Sequence, residues 1–300
     1  MTNPLRYLYR FSHDALFSTL NYNPFFIKSY YGRKIKKGHI SQEHLDDPAL
    51  DNELTEELKN NNIEVNDYTI SQDDYRGYLK KVNYSSSYYG GGQDEKSNFT
   101  EKTLEHYVST RFIDFNPETV FIDIAAATSP FYKIVKEQYH VKRSYQQDLI
   151  FKKGIHGDRI GGYASEIPLP DDSVDAVTLH CSLEHFEGDS DIRFFREMER
   201  VLKTGGRIIV LPFYLAYEYT IHVDPVYNFF KFHYPDLDPK ANLRYCNWYQ
   251  YFSRHYDINA LKERILERSD KLKPTVFRVT NYREIAPSCY LRFIGVFKKI

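Results

Sequence analysis

The run VFIDIAAATSPFY, residues 120–132, limits the possible folds more than any other part of this chain. VFIDI is apolar and β-branched enough to be a strand covered on both faces, the pattern of a parallel sheet. The small residues Ala125, Ala126 and Ala127 then form a turn, and Ser129-Pro130 reads as a helix start. Serine offers an oxygen to the N–H groups that a first helical turn leaves without partners, and proline has no N–H to lose there. A buried strand passing through a tight turn into a helix opens a crossover unit, which needs a parallel strand to return to.

The following residues supply the returns. A helix over 130–139 leads to a second strand, 141–147, ending at Asp148, and a third strand, 175–179, follows the turn PLPDDS. Phe194, Phe195, Met198, Val201 and Leu202 recur on one helical face, and Gly205-Gly206 stops that helix before a strand at 207–211. A helix candidate, EKTLEHYVSTRF, precedes the first strand, another spans 258–268, and strands at 275–282 and 290–298 close the chain. Their link, REIAPS, is too short for a crossover and predicts an antiparallel hairpin. The expected fold class is α/β: a Rossmann-like, doubly wound, mostly parallel sheet with a C-terminal antiparallel hairpin and a mainly helical N-terminal extension.

A chain of 300 residues holds one large domain, or one domain with an extension. Residues 1–97 show no repeat and no strand alternation. Ser71 caps a helix there whose apolar side is Tyr75, Tyr78, Leu79 and Val82. The tract SSSYYGGGQDEKSN reads as a hinge, so 1–97 is an extension able to cap a substrate and 98–300 the main domain. Aromatic residues are unusually many, 27 Tyr and 21 Phe against one Trp, and crowd the extension and an insertion at 212–256. Such rings suit either a half-wet cleft or packing between surface helices.

Charge narrows the partners. Lys and Arg total 40 against 41 acids, giving a net charge of -1 with no long basic block, which argues against a nucleic acid or an anionic membrane. No window approaches the roughly 20 apolar residues of a membrane span. The N-terminus MTNPLRYLYRFSHD lacks the apolar core of a secretory leader, so the chain reads as cytoplasmic. Cys181, Cys246 and Cys289 are too far apart to suggest a disulfide framework, and no ligand spacing indicates a metal.

In an open parallel sheet, ligands sit beyond the carboxyl ends of the strands where strand order reverses. Asp123 and Asp148 fall near such ends. An acid placed as Asp148 is can accept hydrogen bonds from ribose hydroxyls, or can cap a helix. Read in order, FIDIAAATSPF, YQQDL, GGYASEIPLPDDSVDAVTLHCSLEHF and REMERVLKTGGRIIVL resemble the successive motifs of class I S-adenosylmethionine-dependent methyltransferases, in particular the small-molecule group. The resemblance covers 119–211 well, the C-terminal hairpin in pattern only, and the first hundred residues not at all. It implies S-adenosylmethionine as cofactor. It further implies that Asp123, Ala125, Ala127 and Ser129 border the methionine portion, Asp148 and Leu149 the ribose side, Tyr163 and Ala164 the adenine, and that His180 sits by the methyl group.

Two departures from the motif bear on binding. Alanine and serine replace its glycines, and Tyr163 stands where an acid is usual. Each alanine forced into the left-handed region costs roughly 1–2 kcal/mol, unless the turn keeps negative φ. For the proton of a hydroxyl acceptor the candidates are the pair Glu184-His185, and His222 beside Asp224, since histidine is the commonest general base. An acid–histidine pair at this point also serves structural roles. The sequence thus supports a methyltransferase for a small molecule, such as a hydroxyl of a saccharide or saccharide-linked metabolite. The alternative is a non-catalytic scaffold of the same fold, to which the alanine turn and Tyr163 point.

Overall fold

The computed structural model describes residues 48–89, 98–246 and 248–300, with 8, 11, 12, 14–16 and 31 near the N-terminus. The centre of the expected hinge tract, 90–97, and most of 1–47 lie outside the described residues. The chain divides into two compact units: Thr55–Leu183 with Ser190–Phe213 and Lys262–Ile300, and Met1–Leu54 with Glu184–Asp189 and Tyr214–Leu261.

The first unit is built on an 8-stranded sheet. In chain order its elements are β1 (Glu64–Tyr68), α1 (Gln72–Val82), α2 (Phe99–Phe112), β2 (Val120–Ile124), α3 (Phe131–Gln138), β3 (Arg143–His156) and β4 (Arg159–Gly161). Then follow β5 (Val174–His180), α4 (Ser190–Val201), β6 (Leu202–Leu211) and, after the second unit's insertion, β7 (Leu272–Val279) and β8 (Phe293–Lys299). Across the sheet the strands stand in the order β1-β7-β8-β6-β5-β2-β3-β4. Strands β6, β5, β2, β3 and β4 pair in parallel, and β8 is antiparallel to both neighbours, as the short REIAPS link requires.

The chain moves from β2 outward to β3 and later returns to lay β5 on the other side of β2. Strand order therefore reverses between β2 and β5, and a crevice is expected at their carboxyl ends. Every residue of β2 is buried, and the apolar side of α4 (Phe194, Phe195, Met198, Val201) is fully covered, Phe195 lying 4.8 Å from Phe297. Ser71 caps α1 as expected, its hydroxyl accepting from the Asp74 N–H at 3.2 Å.

Differences from the sequence reading follow from local chemistry. Strand β1 (EVNDY) was not foreseen, because a half-exposed edge strand with Asn and Asp carries little apolar signal; it is held in parallel to β7, where Asp67 pairs with Arg278 at 2.8 Å. β3 does not end at Asp148 but runs on to His156 and returns, so that Ile155 and His156 face Ile160 and Arg159. Gly161 permits this: a Cβ there would lie 2.1 Å from the Lys152 carbonyl oxygen. β6 begins at once at Leu202, with residues 203–206 bulged out around Gly205 at φ 85°, before Arg207 rejoins the register opposite Ala176.

The second unit, taken by itself, holds a 3-stranded sheet. Its central strand Thr220–Val223 pairs in parallel with Asn242–Tyr245 and antiparallel with Ser253–His255.

Candidate functional site

Asp123, at the end of β2, is completely buried. Its Oδ1 accepts from the Thr178 hydroxyl at 2.9 Å and faces His180 Nδ1 at 3.0 Å, while Oδ2 accepts from the Ser129 hydroxyl at 2.9 Å. One carboxylate thus ties β2 to β5 and to the start of α3. The helix starts one residue later than expected, with Pro130 and not Ser129 as its N-cap, yet the Ser129 Oγ still accepts the N–H of Phe131, the first residue of α3, at 3.2 Å.

The protons of this cluster can be assigned. Ser129 gives its only proton to Asp123, so toward His106 Nε2, at 3.3 Å, its oxygen must be the acceptor. His106 is therefore protonated on Nε2, and its Nδ1 accepts the Tyr84 hydroxyl at 2.8 Å. Tyr84 in turn lies 3.0 Å from the Tyr78 hydroxyl, which donates to it. Burial, with His180 beside it, holds the His106 imidazole well below its usual range, in keeping with this neutral tautomer. His180 Nε2 meets the Ser109 hydroxyl at 2.9 Å, so α2 is anchored to the end of β5 as well as to Ser129.

The alanine turn keeps the path of a glycine turn. Ala125 has φ 49° and Ala127 φ 39°, so the negative-φ alternative is not what the chain adopts. At roughly 1–2 kcal/mol per residue, such backbone persists only where its surroundings impose it. Those surroundings are three successive residues of β3. The Gln147 side chain and carbonyl accept from the N–H groups of Ala125 and Ala126 at 3.1 and 3.0 Å, and Asp148 Oδ2 accepts from Ala127 at 2.8 Å. The Gln146 amide donates to the carbonyls of Ala127 and Ser129 at 2.8 and 3.0 Å. Cys181, the residue after β5, is also left-handed at φ 45°. Strained residues thus stand at the carboxyl ends of both strands flanking the switch point.

Asp148 is half-buried, its Oδ1 taken by the Ile150 N–H at 3.0 Å. A carboxylate offers about four acceptor positions, so two stay open beyond these backbone bonds. Around it the chain leaves apolar side chains in the open: Leu149 is 61% exposed, Ile150 69% and Tyr163 55%, with Ala164 half-buried. Exposed large apolar groups beside a partly satisfied carboxylate are the informative kind of surface.

The sequence reading missed two acids on α2. Glu105 is fully buried, binds Lys102 Nζ at 3.1 Å and accepts from the Cys181 thiol at 3.1 Å. Glu101 accepts the Tyr290 N–H at 3.0 Å, and burial, with Glu105 nearby, pushes its acid up to about 8. The available signal was a pair of acids four apart on a helix that also carries Leu104 and Val108, whereas α2 is buried nearly all round and offers no clean polar face.

The expected proton acceptors all belong to the second unit. Glu184 is buried, 3.7 Å from His185 Nε2, too long for a hydrogen bond. His185 donates from Nδ1 to the Phe252 carbonyl at 2.6 Å and keeps 43% of its side chain exposed. His222 is completely buried in the small sheet, its ring 5.0 Å from Trp248 and 4.5 Å from His255. The Asp224 carboxylate caps the short helix Pro225–Phe230 through the Tyr227 N–H at 2.9 Å.

A doubly wound sheet with a tight turn of small residues and a half-buried acid at its switch point is the layout of class I S-adenosylmethionine-dependent methyltransferase domains, which this part of the chain resembles. The model of the family described as Methyltransferase domain matches residues 122–210. The uncharacterized methyltransferase YcgJ of Bacillus subtilis is 34% identical over 36% of this chain and 39% of that protein. The ubiquinone/menaquinone biosynthesis C-methyltransferase UbiE of Pseudomonas fluorescens is 29% identical over 40% of this chain and 48% of that protein. The chain thus spans less than half the length of these relatives. Among solved structures, the 1,6-didemethyltoxoflavin-N1-methyltransferase of Burkholderia thailandensis, bound to 1,6-didemethyltoxoflavin and S-adenosylhomocysteine, covers 79% of this chain and 93% of its own, with 14% identity and TM-score 0.45.

S-adenosylmethionine is the cofactor that the matched family's description implies. The residues present fit it: Asp148 has acceptor positions left for a ribose diol, the turn beside it carries nothing larger than methyl groups, and Leu149 and Tyr163 offer apolar surface to a purine.

Proposed function

We propose that this chain transfers a methyl group from S-adenosylmethionine to a hydroxyl of a small, saccharide-type acceptor. The observation that carries the methyl-transfer reading is the pair of left-handed alanines. Backbone strain enforced by Gln146, Gln147 and Asp148 at a strand end favours a turn whose path serves a ligand. When bound, the cofactor supplies an electrophilic methyl group on a sulfonium.

The chain's own residues do the rest. Asp148 accepts from the ribose, Leu149 and Tyr163 cover the adenine, and Ala125, Ala127 and Ser129 hold the methionine end. Asp123 fixes Ser129 and His180 without touching the ligand. Holding donor and acceptor in line with water excluded supplies most of the acceleration that such a displacement needs. Glu184, His185 and His222 are the chain's candidates for the acceptor's proton, and among them His185 has an exposed ring.

Calorimetry with S-adenosylmethionine, followed by a labelled-methyl assay on a metabolite extract, tests this reading. Saturable binding and a labelled small product support it. Absence of binding at millimolar cofactor makes the chain a scaffold.

A further inference from the structure

A cavity of about 710 Å³ opens between the segment that follows α1 and the side of α3. Tyr84, Tyr88 and Tyr89 stand on one side of it, Thr128, Pro130 and Lys133 on the other. Its size is that of a small-molecule site, roughly 300–1,000 Å³.

The tyrosine wall is flat and backed. Tyr84 and Tyr88 stack with centroids 5.4 Å apart and planes 18° from parallel. His106 lies parallel to both within 23°, and Phe131 packs 4.8 Å from His106. Burial pushes both phenols up, so they stay neutral hydroxyls. Tyr89, at φ 47°, holds a backbone conformation that is an outlier for a bulky residue, and this sets its ring edge-on to Tyr88 at 4.9 Å.

The polar lining is rich in hydroxyls and neutral in sum. Ser85 and Ser87 lie 2.8 Å apart through their Oγ atoms, and the two charged residues, Lys133 and Glu137, face each other at 3.6 Å. An anionic ligand would meet Glu137 beside the single cation. A plain hydrocarbon would leave the hydrogen-bonding capacity of Thr128 and Asn83, and what the Ser85–Ser87 pair has left over, unused. A ring with apolar C–H faces and hydroxyls round its edge matches both features.

The cavity is also wired to the strand ends. Thr128 and Pro130 flank Ser129, and Tyr84 reaches Ser129 through His106. We infer that this cavity is the acceptor site and takes a neutral polyhydroxylated ring, a saccharide, with one face on the tyrosine wall and its hydroxyls on Ser85, Ser87 and Thr128. The word acceptor rests on the methyl-transfer reading; the binding of a saccharide does not.

The test titrates the full chain with the methyl α-glycosides of glucose, galactose, mannose and rhamnose, and with phenol and inorganic phosphate, by saturation-transfer NMR. At least one glycoside is expected to saturate in the millimolar range, equivalent to about 4 kcal/mol of binding. Ser87→Trp fills the cavity from an exposed position, and Tyr88→Ala removes part of its wall; each should weaken that binding about tenfold or more, while Ser87→Trp leaves S-adenosylmethionine affinity unchanged. No saturable glycoside, a glycoside indifferent to both variants, or a preference for phenol or phosphate overturns the inference. Cofactor binding without glycoside binding defeats this inference alone. Glycoside binding in the cavity without cofactor binding keeps the saccharide site and defeats methyl transfer.

Discussion

Replacing Ala125 and Ala127 by glycine should stabilise the protein, although Ala→Gly ordinarily does the reverse. The two alanines sit at φ 49° and 39°, where an L side chain costs roughly 1–2 kcal/mol. Glycine removes that cost but loosens the unfolded chain by about 0.4–1 kcal/mol. The balance at each position is a gain of about 1 kcal/mol, which for a domain of this size raises Tm by about 2–4 °C. The two sites share partners on β3, so the double variant should gain less than the sum. Ala126 is an internal control: it lies between them, is not left-handed, and its change to glycine should destabilise by roughly 0.5–1 kcal/mol. Urea and thermal unfolding of the single variants decide the matter. Destabilisation by Ala125→Gly and Ala127→Gly to the same degree as by Ala126→Gly would refute the strain argument and with it the reason for assigning the turn a ligand.

Asp148→Ala should weaken S-adenosylmethionine binding by about 10- to 100-fold, the worth of hydrogen bonds to a charged acceptor, as read by calorimetry on folded protein; unchanged affinity would remove Asp148 from the ribose. Asp191→Ala leaves Arg264 buried without its two-pronged partner at 2.9 and 2.7 Å, and should cost about 3–5 kcal/mol in urea unfolding. Glu101 holds its proton up to a pKa of about 8 in the folded protein against an ordinary 4.5, so the folded state binds the extra proton between these values. This group's contribution is full below pH 4.5 and is lost as pH rises toward 8. Glu101→Gln should therefore flatten the decline of stability across that window, and an undiminished slope would show that another group causes it.

Much of the fold was legible because its strands are apolar runs punctuated by turn residues. VFIDI, VDAVTLH and the stripe Phe194–Phe195–Met198–Val201 each carry a periodicity that only one kind of element satisfies. The order of motifs located the strand ends, where Asp148 is found bonded to the turn and Ser129 to the first residue of α3. Long-range pairing was not legible. EVNDY becomes a strand only because β7 offers a free edge, and the return of β3 depends on the absence of a side chain at Gly161. The acids of α2 stayed hidden for a related reason. Glu101 and Glu105 look like an ordinary solvated face until Cys181, Tyr290 and Lys102 are brought to them from distant parts of the sequence. His222 shows the converse, a histidine whose sequence position suggested chemistry and whose ring packs against Trp248 and His255.

A crystal structure of the full chain grown with S-adenosylhomocysteine tests the central assignment most directly. The ribose diol should lie on Asp148, the purine against Leu149 and Tyr163, and Ala125 and Ala127 should keep their left-handed backbone. A ligand seated away from the ends of β2 and β3, or a turn that abandons that backbone to admit it, would contradict the assignment.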